Sequence, residues 1–317
     1  MLTFSRFSFD VTFHAGASLP YWMGSTFRGG LGQHLSHSVC MGQDCHYCKS
    51  AHCLFADVYT PRPEKRGHAQ PPKPVIIIPP FFGRSVQLKP GGQLSLEVVM
   101  LGDYVQAFLQ LVLGMFSLGE EGIGPDRHYG KNCFEVASVK CLESGGYVFK
   151  DSRIDSSKFA TRDIKDLEPL CDKDGKEVVL RFRTPFTGPF LPRTVGYVMR
   201  LIRNRLILFV NEYGSGETLP SVHEKTDDEG VQIELKEIHR HILLRKSSRS
   251  EKDRFIGWTG LLSIEDISQL SLETRWLLAC GSILGMGPDS SFGSGFIELL
   301  RAELPNVSPK TTENLHV

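Results

Sequence analysis

The sequence GMGPDSSFGSG occupies residues 285–295, between a predicted helix and a predicted strand. Two Gly-x-Gly pairs, Gly285 with Gly287 and Gly293 with Gly295, flank a polar segment that contains one phenylalanine. Glycine permits positive φ angles and close backbone approach, and exposed N–H groups in such a loop can bind phosphate oxygens. The segment is neither a P-loop nor a dinucleotide fingerprint, because no Gly-Lys-Ser/Thr follows and the loop runs from helix to strand. Taken alone, two glycine pairs more often form a tight structural turn.

Outward from this glycine loop, hydrophobic periodicity gives one order of elements twice. The first half is predicted to form a strand at 7–13, a helix at 25–38, strands at 75–78 and 94–101, a helix at 103–118 capped by Asp103, and a strand at 133–139. The second half is predicted to form a strand at 178–183, a helix at 194–210, strands at 231–235 and 255–264, a helix at 271–284 and a strand at 295–300. This repeated order predicts an α+β fold of two tandem ferredoxin-like domains.

The predicted domain boundaries follow from a polar, charged segment in the middle of the chain. An N-terminal ferredoxin-like domain at 1–142 contains a cysteine cluster at 40–53. A linker at 143–176 joins it to a C-terminal ferredoxin-like domain at 177–305, which carries the glycine loop. Residues 306–317 are expected to form a disordered polar tail.

The composition limits how the chain can bind a polyanion. The 36 Lys and Arg residues equal the 36 Asp and Glu residues, so any binding to nucleic acid must use local basic clusters. No run of 18 apolar residues is present, and we expect neither a membrane span nor a membrane partner. The N-terminus lacks the apolar core of a secretory signal. We therefore expect a cytoplasmic protein.

Four of the eight cysteines, Cys40, Cys45, Cys48 and Cys53, lie within 14 residues. Tetrahedral zinc takes four such ligands, and Cys-x2-Cys is a common half-site. We predict a structural zinc in a small knuckle, because four protein ligands leave no open position for catalysis. His46 or His52 can replace one ligand, a [4Fe–4S] cluster also uses four cysteines, and four reduced thiols without metal are the remaining alternative.

Several segments, in their order along the chain, resemble the RAMP superfamily of RNA-binding proteins. Residues 19–32 are similar to a first helix with an Arg-Gly-x-x-Gly core, here Arg28 to Gly32, and the cysteine cluster follows directly. Residues 122–130, the sequence LRFRTP at 180–185, the sequence RKSSRS at 245–250 and the glycine loop complete the series. Together they resemble one branch of that superfamily, the endoribonucleases that process CRISPR repeat RNA.

The resemblance implies two RAMP/RRM-like ferredoxin domains side by side, with the cysteine-rich knuckle as an insertion. It also implies cleavage of CRISPR repeat RNA without a catalytic metal, giving a 5′-hydroxyl and a 2′,3′-cyclic phosphate. The expected partners are the repeat RNA, the mature crRNA and other subunits of a CRISPR effector complex. The alternative is a non-catalytic RNA-binding subunit of such a complex.

The resemblance places the catalytic residues around the first helix. Attack by a 2′-hydroxyl needs a base and an acid, and histidine suits both at neutral pH. His37 and His34 are the candidates, with Tyr21 and Arg28 close in sequence. Many members carry a histidine directly after the glycine that aligns with Gly32, whereas this chain has Gln33 there. The alternatives are a His34 packed against the sheet and a His37 exposed to solvent.

Local basic clusters are the candidates for RNA contact. Residues 240–254 contain six Lys and Arg residues, and His239 and His241 sit on alternate positions beside this basic run. Alternation also places Arg181 and Arg183 on one strand face. A solvated charged surface, or for His128 a surface loop, is the alternative. The predicted RNA-binding residues are Arg127, His128, Lys131, Arg181, Arg183, Arg245, Lys246, Arg249, Gly285, Gly287, Gly293 and Gly295.

Overall fold

The computed structural model describes residues 1–39, 54–59, 72–124, 127–170, 177–216, 227–245 and 253–300. The strands in chain order are β1 (Thr3–Phe13), β2 (Ala17–Leu19), β3 (Val75–Ile78), β4 (Val86–Leu88), β5 (Gly92–Leu101), β6 (Glu135–Cys141), β7 (Tyr147–Lys150), β8 (Arg153–Ile154), β9 (Arg162–Asp163), β10 (Val178–Phe182), β11 (Glu234–Arg245), β12 (Asp253–Ile264) and β13 (Ile297–Leu300). The α-helices are α1 (Gly24–Val39), α2 (Leu54–Tyr59), α3 (Phe108–Glu121), α4 (Val195–Tyr213) and α5 (Leu272–Leu284).

Two antiparallel sheets organise these elements. The first sheet has the order β3-β5-β1-β6 at its centre, and the second has the order β11-β12-β10-β13. In each, the chain runs strand–helix–strand–strand–helix–strand, with α1 and α3 in the first unit and α4 and α5 in the second. The predicted α+β fold with antiparallel sheets is confirmed, and both sheets have the ferredoxin-like connectivity.

The alternating sequence of β1 places aromatic side chains on one sheet face. Phe7, Phe9, Val11 and Phe13 are fully buried against the helices of the first unit. Phe4 points to the opposite face, because successive strand residues alternate. Burying each such side chain stabilises the fold by about 1.5–3 kcal/mol.

The opposite face of the first sheet packs against the second unit. Ile76, Val99 and Leu101 from β3 and β5 share one core with Val198 and Ile202 of α4. The first sheet is therefore buried on both faces around these strands. This packing brings the loops that follow β3 next to the second sheet.

Local caps explain where the second unit's helices begin. The side chain of Thr194 accepts the N–H of Tyr197 at the start of α4, and Ser271 caps α5 through Thr274. The Asp103 cap was wrong: residues Gly102–Ala107 form a 3-10 helix, and α3 begins at Phe108 without a side-chain cap. No helix in the described part of the chain is long and apolar enough to cross a membrane.

The segment 143–176 is more than the predicted linker. β7 pairs with β6, β8 pairs with β7, and β9 pairs with β1, so these short strands extend the first sheet. The linker assignment was wrong for these strands. β8 and β9 have only two residues each and so show no apolar periodicity, whereas β7 buries Val148 in the core of the first unit. The division into domains at 142 and 177 stays a prediction. Two further elements, the β2–β4 ribbon and α2, were also not predicted.

Candidate functional site

A cleft of roughly 520 Å³ opens where the segment after β3 meets the second sheet. The first unit contributes aromatic side chains to its wall, and the second unit contributes basic, hydroxyl and carboxylate groups from four strands. The lining residues are Pro80, Phe81, Phe82, Gly83, Arg181, Phe182, Arg183, His239, His241, Thr259 and Glu298.

At this cleft, a tyrosine of the first unit meets a histidine of the second. The Tyr21 hydroxyl, between β2 and α1, lies 2.5 Å from Nδ1 of His241 on β11. Nε2 of the same imidazole lies 2.7 Å from Oγ1 of Thr259 on β12. The Phe81 ring packs edge-on against His241, with 4.9 Å between ring centroids, and edge-on against Tyr21 at 5.6 Å.

The surroundings keep both rings uncharged near neutral pH. Burial, and to a smaller extent the nearby His239, lower the pKa of His241. Burial raises the pKa of the Tyr21 phenol. A neutral imidazole has one donor and one acceptor nitrogen, so His241 can accept a proton on one side while donating on the other.

Two predicted RNA-binding arginines line the same cleft: Arg181 in β10 and Arg183 directly after it. Both are paired with carboxylates. Arg183 Nη1 lies 2.9 Å from Glu97 Oε2 of the first sheet. Arg181 forms an ion pair with Glu298 of β13, and Arg183 Nε lies 3.8 Å from that carboxylate. These pairs hold the arginines at the cleft wall; a contact with RNA stays a prediction.

The glycine loop connects the two units by close packing. The N–H groups of Gly285, Gly293 and Gly295 donate to carbonyls of the chain itself, at 2.9–3.0 Å. Gly293 has a φ of 81°, and a Cβ there would lie 2.3 Å from the carbonyl oxygen of Ile77 in β3. These three N–H groups were expected to be exposed, but they are used within the fold. The structure gives these glycines a packing role. A contact of the loop with RNA stays a prediction, including at the half-buried Gly287.

Arg28 packs over this loop from α1. Its guanidinium lies 4.2 Å from the centroid of the Phe292 ring and 5.8 Å from that of Tyr59. Its Nη2 donates to the carbonyl of Val58 at 3.2 Å. Arg28 thus joins α1, α2 and the glycine loop through packing contacts, and its catalytic role stays a prediction.

His34 and Arg127 meet in a second polar cluster, between α1, the end of α3 and the following loop. His34 Nε2 lies 3.2 Å from Glu121 Oε2, and Arg127 Nε lies 2.9 Å from Oε1 of the same carboxylate. Arg127 Nη2 also donates to the side-chain oxygen of Gln33 at 3.0 Å. The structure therefore brings together one predicted catalytic residue and one predicted RNA-binding residue, away from the wall residues of the cleft.

Comparisons with known proteins place the chain in a family. Family models described as AF_1859_N, an N-terminal domain, and AF_1859_C, a C-terminal domain, match residues 2–159 and 178–299. An uncharacterized protein of Archaeoglobus fulgidus is 33% identical over 284 residues, which are 89% of this chain and 92% of the relative. The chain belongs to the AF_1859 family. The first matched segment contains the first sheet except β9, and the second contains the second sheet except the last residue of β13.

Solved structures show which fold this AF_1859 family member has. A Thermus thermophilus Cas6 in a product complex is 18% identical, with 94% of this chain and 100% of that chain covered and a TM-score of 0.52. A Cas6-related protein of Pyrococcus furiosus is 12% identical, with 95% and 100% covered and a TM-score of 0.51. A chain of a partial Cas6-RT-Cas1–Cas2 complex is 11% identical, with a TM-score of 0.57. The match covers 97% of this chain and 47% of that chain. The fold is therefore Cas6-like.

The remaining predicted residues lie outside the cleft wall or outside the described residues. Lys131 is exposed. His37 and Arg245 lie on α1 and β11, and His128 lies in a 3-10 turn, but their side chains are outside the described residues. The residues that lie wholly outside the described ranges are Cys40, Cys45, Cys48, Cys53, Lys246 and Arg249. Within the described part of the chain, no three His, Cys, Asp or Glu residues are grouped to hold a metal.

Sequence reasoning missed the pairing of Tyr21 with His241. Tyr21 was assigned to catalysis from the first-helix resemblance, and His241 was only a candidate for RNA contact. The predicted strand at 231–235 ends before these histidines, whereas β11 runs from Glu234 to Arg245 and carries both. No local pattern indicates that a strand of the second unit meets the residues just before the first helix.

Proposed function

We propose that this chain is an endoribonuclease that cleaves CRISPR repeat RNA to release guide RNAs. The observation that carries the proposal is the cleft between the two units of a Cas6-like fold, where the Tyr21 phenol and the His241 imidazole form a hydrogen bond. Groups that accept and donate protons at neutral pH are what cleavage by a 2′-hydroxyl requires.

RNA binding in this cleft is supported by its lining. Phe82 is 44% exposed and offers a ring on which an unpaired base can stack. Arg181 and Arg183 supply positive charge that can approach the phosphate through exchange of their carboxylate partners. Arg245, Lys246 and Arg249 are further proposed phosphate contacts; Arg245 is the last residue of β11, and the other two follow it in the sequence.

The proposed chemistry uses no catalytic metal. The 2′-hydroxyl oxygen attacks the adjacent phosphorus, the 5′-oxygen of the next nucleotide leaves, and the products are a 2′,3′-cyclic phosphate and a 5′-hydroxyl. Side chains carry the proton transfers, and a cation stabilises the charge that develops on the phosphate. Tyr21, Arg28, His34 and His37 are the proposed catalytic candidates.

Cleavage in EDTA tests this function. The full chain is incubated with its end-labelled repeat RNA in EDTA, beside the same RNA carrying a 2′-deoxy nucleotide on the 5′ side of the cut. We expect one cut in the first RNA, a terminus that mass spectrometry identifies as a 2′,3′-cyclic phosphate, and no cut in the second. Cleavage of the deoxy RNA, or cleavage that only a divalent metal restores, would contradict the mechanism.

The second candidate function is a non-catalytic subunit that holds CRISPR RNA within an effector complex. Gln33, which stands where many repeat-processing enzymes carry a histidine, favours this candidate. The same assay distinguishes the two, because a non-catalytic subunit binds both RNAs tightly and yields no product. Other effector subunits and a cytoplasmic location belong to both proposals.

A further inference from the structure

The bond between Tyr21 and His241 joins residues 220 positions apart in the sequence. Both ring nitrogens of His241 form hydrogen bonds with hydroxyls, Nδ1 with that of Tyr21 and Nε2 with that of Thr259. In one neutral tautomer, Nε2–H donates to Thr259 and the lone pair of Nδ1 accepts the Tyr21 O–H. This tautomer leaves His241 ready to receive the phenol proton.

The groups facing His241 come from both units. Tyr21 and Phe81 approach from the first unit, His239 lies on the same strand, and Arg181, Arg183 and Glu298 line the cleft from the β10 and β13 side. Burial, and to a smaller extent His239, disfavour a positive charge on His241. Glu298 is engaged by the two arginines. His241 is thus held in the form that can act as a proton acceptor.

We propose that Tyr21 and His241 form a proton relay for RNA cleavage, in which the Tyr21 hydroxyl contacts the 2′-hydroxyl of the substrate and His241 Nδ1 receives the phenol proton. This inference rests on the proposed endoribonuclease function. Tyr21 is then a catalytic residue, since it touches the reacting atoms. His241 and Thr259 are positioning residues that act through it.

The relay balances without a metal or a redox partner. The 2′-hydroxyl proton moves to the Tyr21 oxygen as the phenol proton moves to Nδ1 of His241, and the 2′-oxygen forms its bond to phosphorus. The bond from phosphorus to the 5′-oxygen breaks, its electron pair stays on that oxygen, and the oxygen takes a proton from water. The imidazolium then returns its proton to the hydroxide that remains.

A purely structural role for the same bond makes a different prediction. A latch that only joins the two units would affect folding and RNA affinity, but not the dependence of the chemical step on pH. A relay requires neutral His241, so the single-turnover rate should rise with pH and level off above the pKa of His241, which lies below its ordinary value.

The test measures single-turnover cleavage of repeat RNA between pH 5 and pH 9. His241→Gln keeps a hydrogen-bonding side chain but cannot take the proton; we expect a loss of about 10²- to 10⁴-fold in rate and of the rise with pH. Tyr21→Phe should give a loss of similar size. His14→Gln, at an exposed histidine paired with Glu135, is the matched control and should keep the wild-type rate and profile.

Folding and binding are followed separately by circular dichroism and by RNA affinity. A folded His241→Gln variant that binds RNA and cleaves with the wild-type rate and profile overturns the relay and leaves the proposed function standing. If only His34→Gln or His37→Gln loses cleavage, a histidine of α1 carries the proton transfer, and the relay is likewise overturned. Absence of cleavage by the wild type overturns the proposed function, and the relay with it.

A spectroscopic measurement tests the relay without cleavage. In ¹⁵N NMR of the free full chain, His241 should be the Nε2–H tautomer near neutral pH, and Tyr21→Phe should shift its Nδ1 resonance. An Nδ1–H tautomer, or an imidazolium at pH 7, would show that His241 cannot accept the phenol proton and would overturn the inference. This readout separates failure of the relay from failure of the proposed function.

Discussion

The Arg28 guanidinium lies 4.2 Å from the centroid of the Phe292 ring, so a helix of the first unit covers the glycine loop of the second. A cation over an aromatic ring contributes about 0.5–2 kcal/mol, and a charged hydrogen bond such as that to the Val58 carbonyl contributes about 1.5–3 kcal/mol. We expect Arg28→Met to lower the free energy of unfolding by about 2 kcal/mol, because methionine keeps part of the stem volume but neither interaction. Urea denaturation measures the change.

The matched control for this substitution is Arg84→Met, because Arg84 is exposed in the loop before β4. Its effect should stay within about 0.5 kcal/mol. Equal stability of the two variants would show that the contacts of Arg28 with the glycine loop and α2 add nothing measurable.

Gly293→Ala should be more costly, because two effects coincide at this position. The φ of 81° is unfavourable for an L side chain, and the new Cβ would lie 2.3 Å from the carbonyl oxygen of Ile77. We expect a loss of about 3 kcal/mol, the sum of left-handed backbone strain and overpacking. Gly83→Ala is the matched control, since Gly83 has a φ of 67° and open space around it. A similar loss in both variants would assign the whole cost to backbone conformation, and the packing explanation would be wrong.

The elements that the sequence predicted well are those with local causes. The apolar run of β3 was predicted with its observed bounds. The helix predicted from 194 begins one residue later, at Val195, with Thr194 as its cap. A strand buried on both faces is a continuous run of apolar residues, and a hydroxyl cap is a Ser or Thr directly before a helix. Both are recognisable within a few residues of sequence. β8 and β9 have no such local pattern, because two residues are too few to show alternation. β7 is a four-residue strand with one buried side chain, Val148, which is also too short to stand out.

The site was harder to predict because its geometry depends on contacts between the units. The glycine loop was identified correctly as a loop, but packing of the loop within the fold uses the N–H groups that were expected to face a ligand. The Tyr21–His241 pair depends on the register of β11 and on how the second sheet packs against the first. Neither property is encoded in a local pattern.

The stability of the fold should depend on pH through His241. Its pKa is lowered by burial and by His239, so between this pKa and the unfolded value of about 6.5 the unfolded chain binds more protons than the folded chain. Stability therefore rises with pH through this window and is lost as the pH falls through it. We expect urea denaturation at pH 5, 6 and 7.5 to show a smaller pH dependence in His241→Gln than in the wild type.

His239→Gln gives a graded comparison for this pH dependence. It removes only the smaller cause of the lowered pKa, so the pH dependence should shrink less than in His241→Gln. If both variants keep the wild-type slope, other groups produce the pH dependence and the role assigned to burial of His241 is wrong.

Metal content tests the prediction for Cys40, Cys45, Cys48 and Cys53. Protein purified under reducing conditions should contain about one zinc per chain by mass spectrometry of the digested sample. Cys48→Ser should lose most of this zinc, because it removes one thiolate of the Cys-x2-Cys half-site, and its melting temperature should fall. Cys133→Ser is the matched control, since Cys133 hydrogen-bonds to backbone carbonyls of Glu120 and Gly130 and should keep the metal. Iron in place of zinc would indicate a cluster, whereas a metal-free wild type would leave four thiols and refute the zinc knuckle.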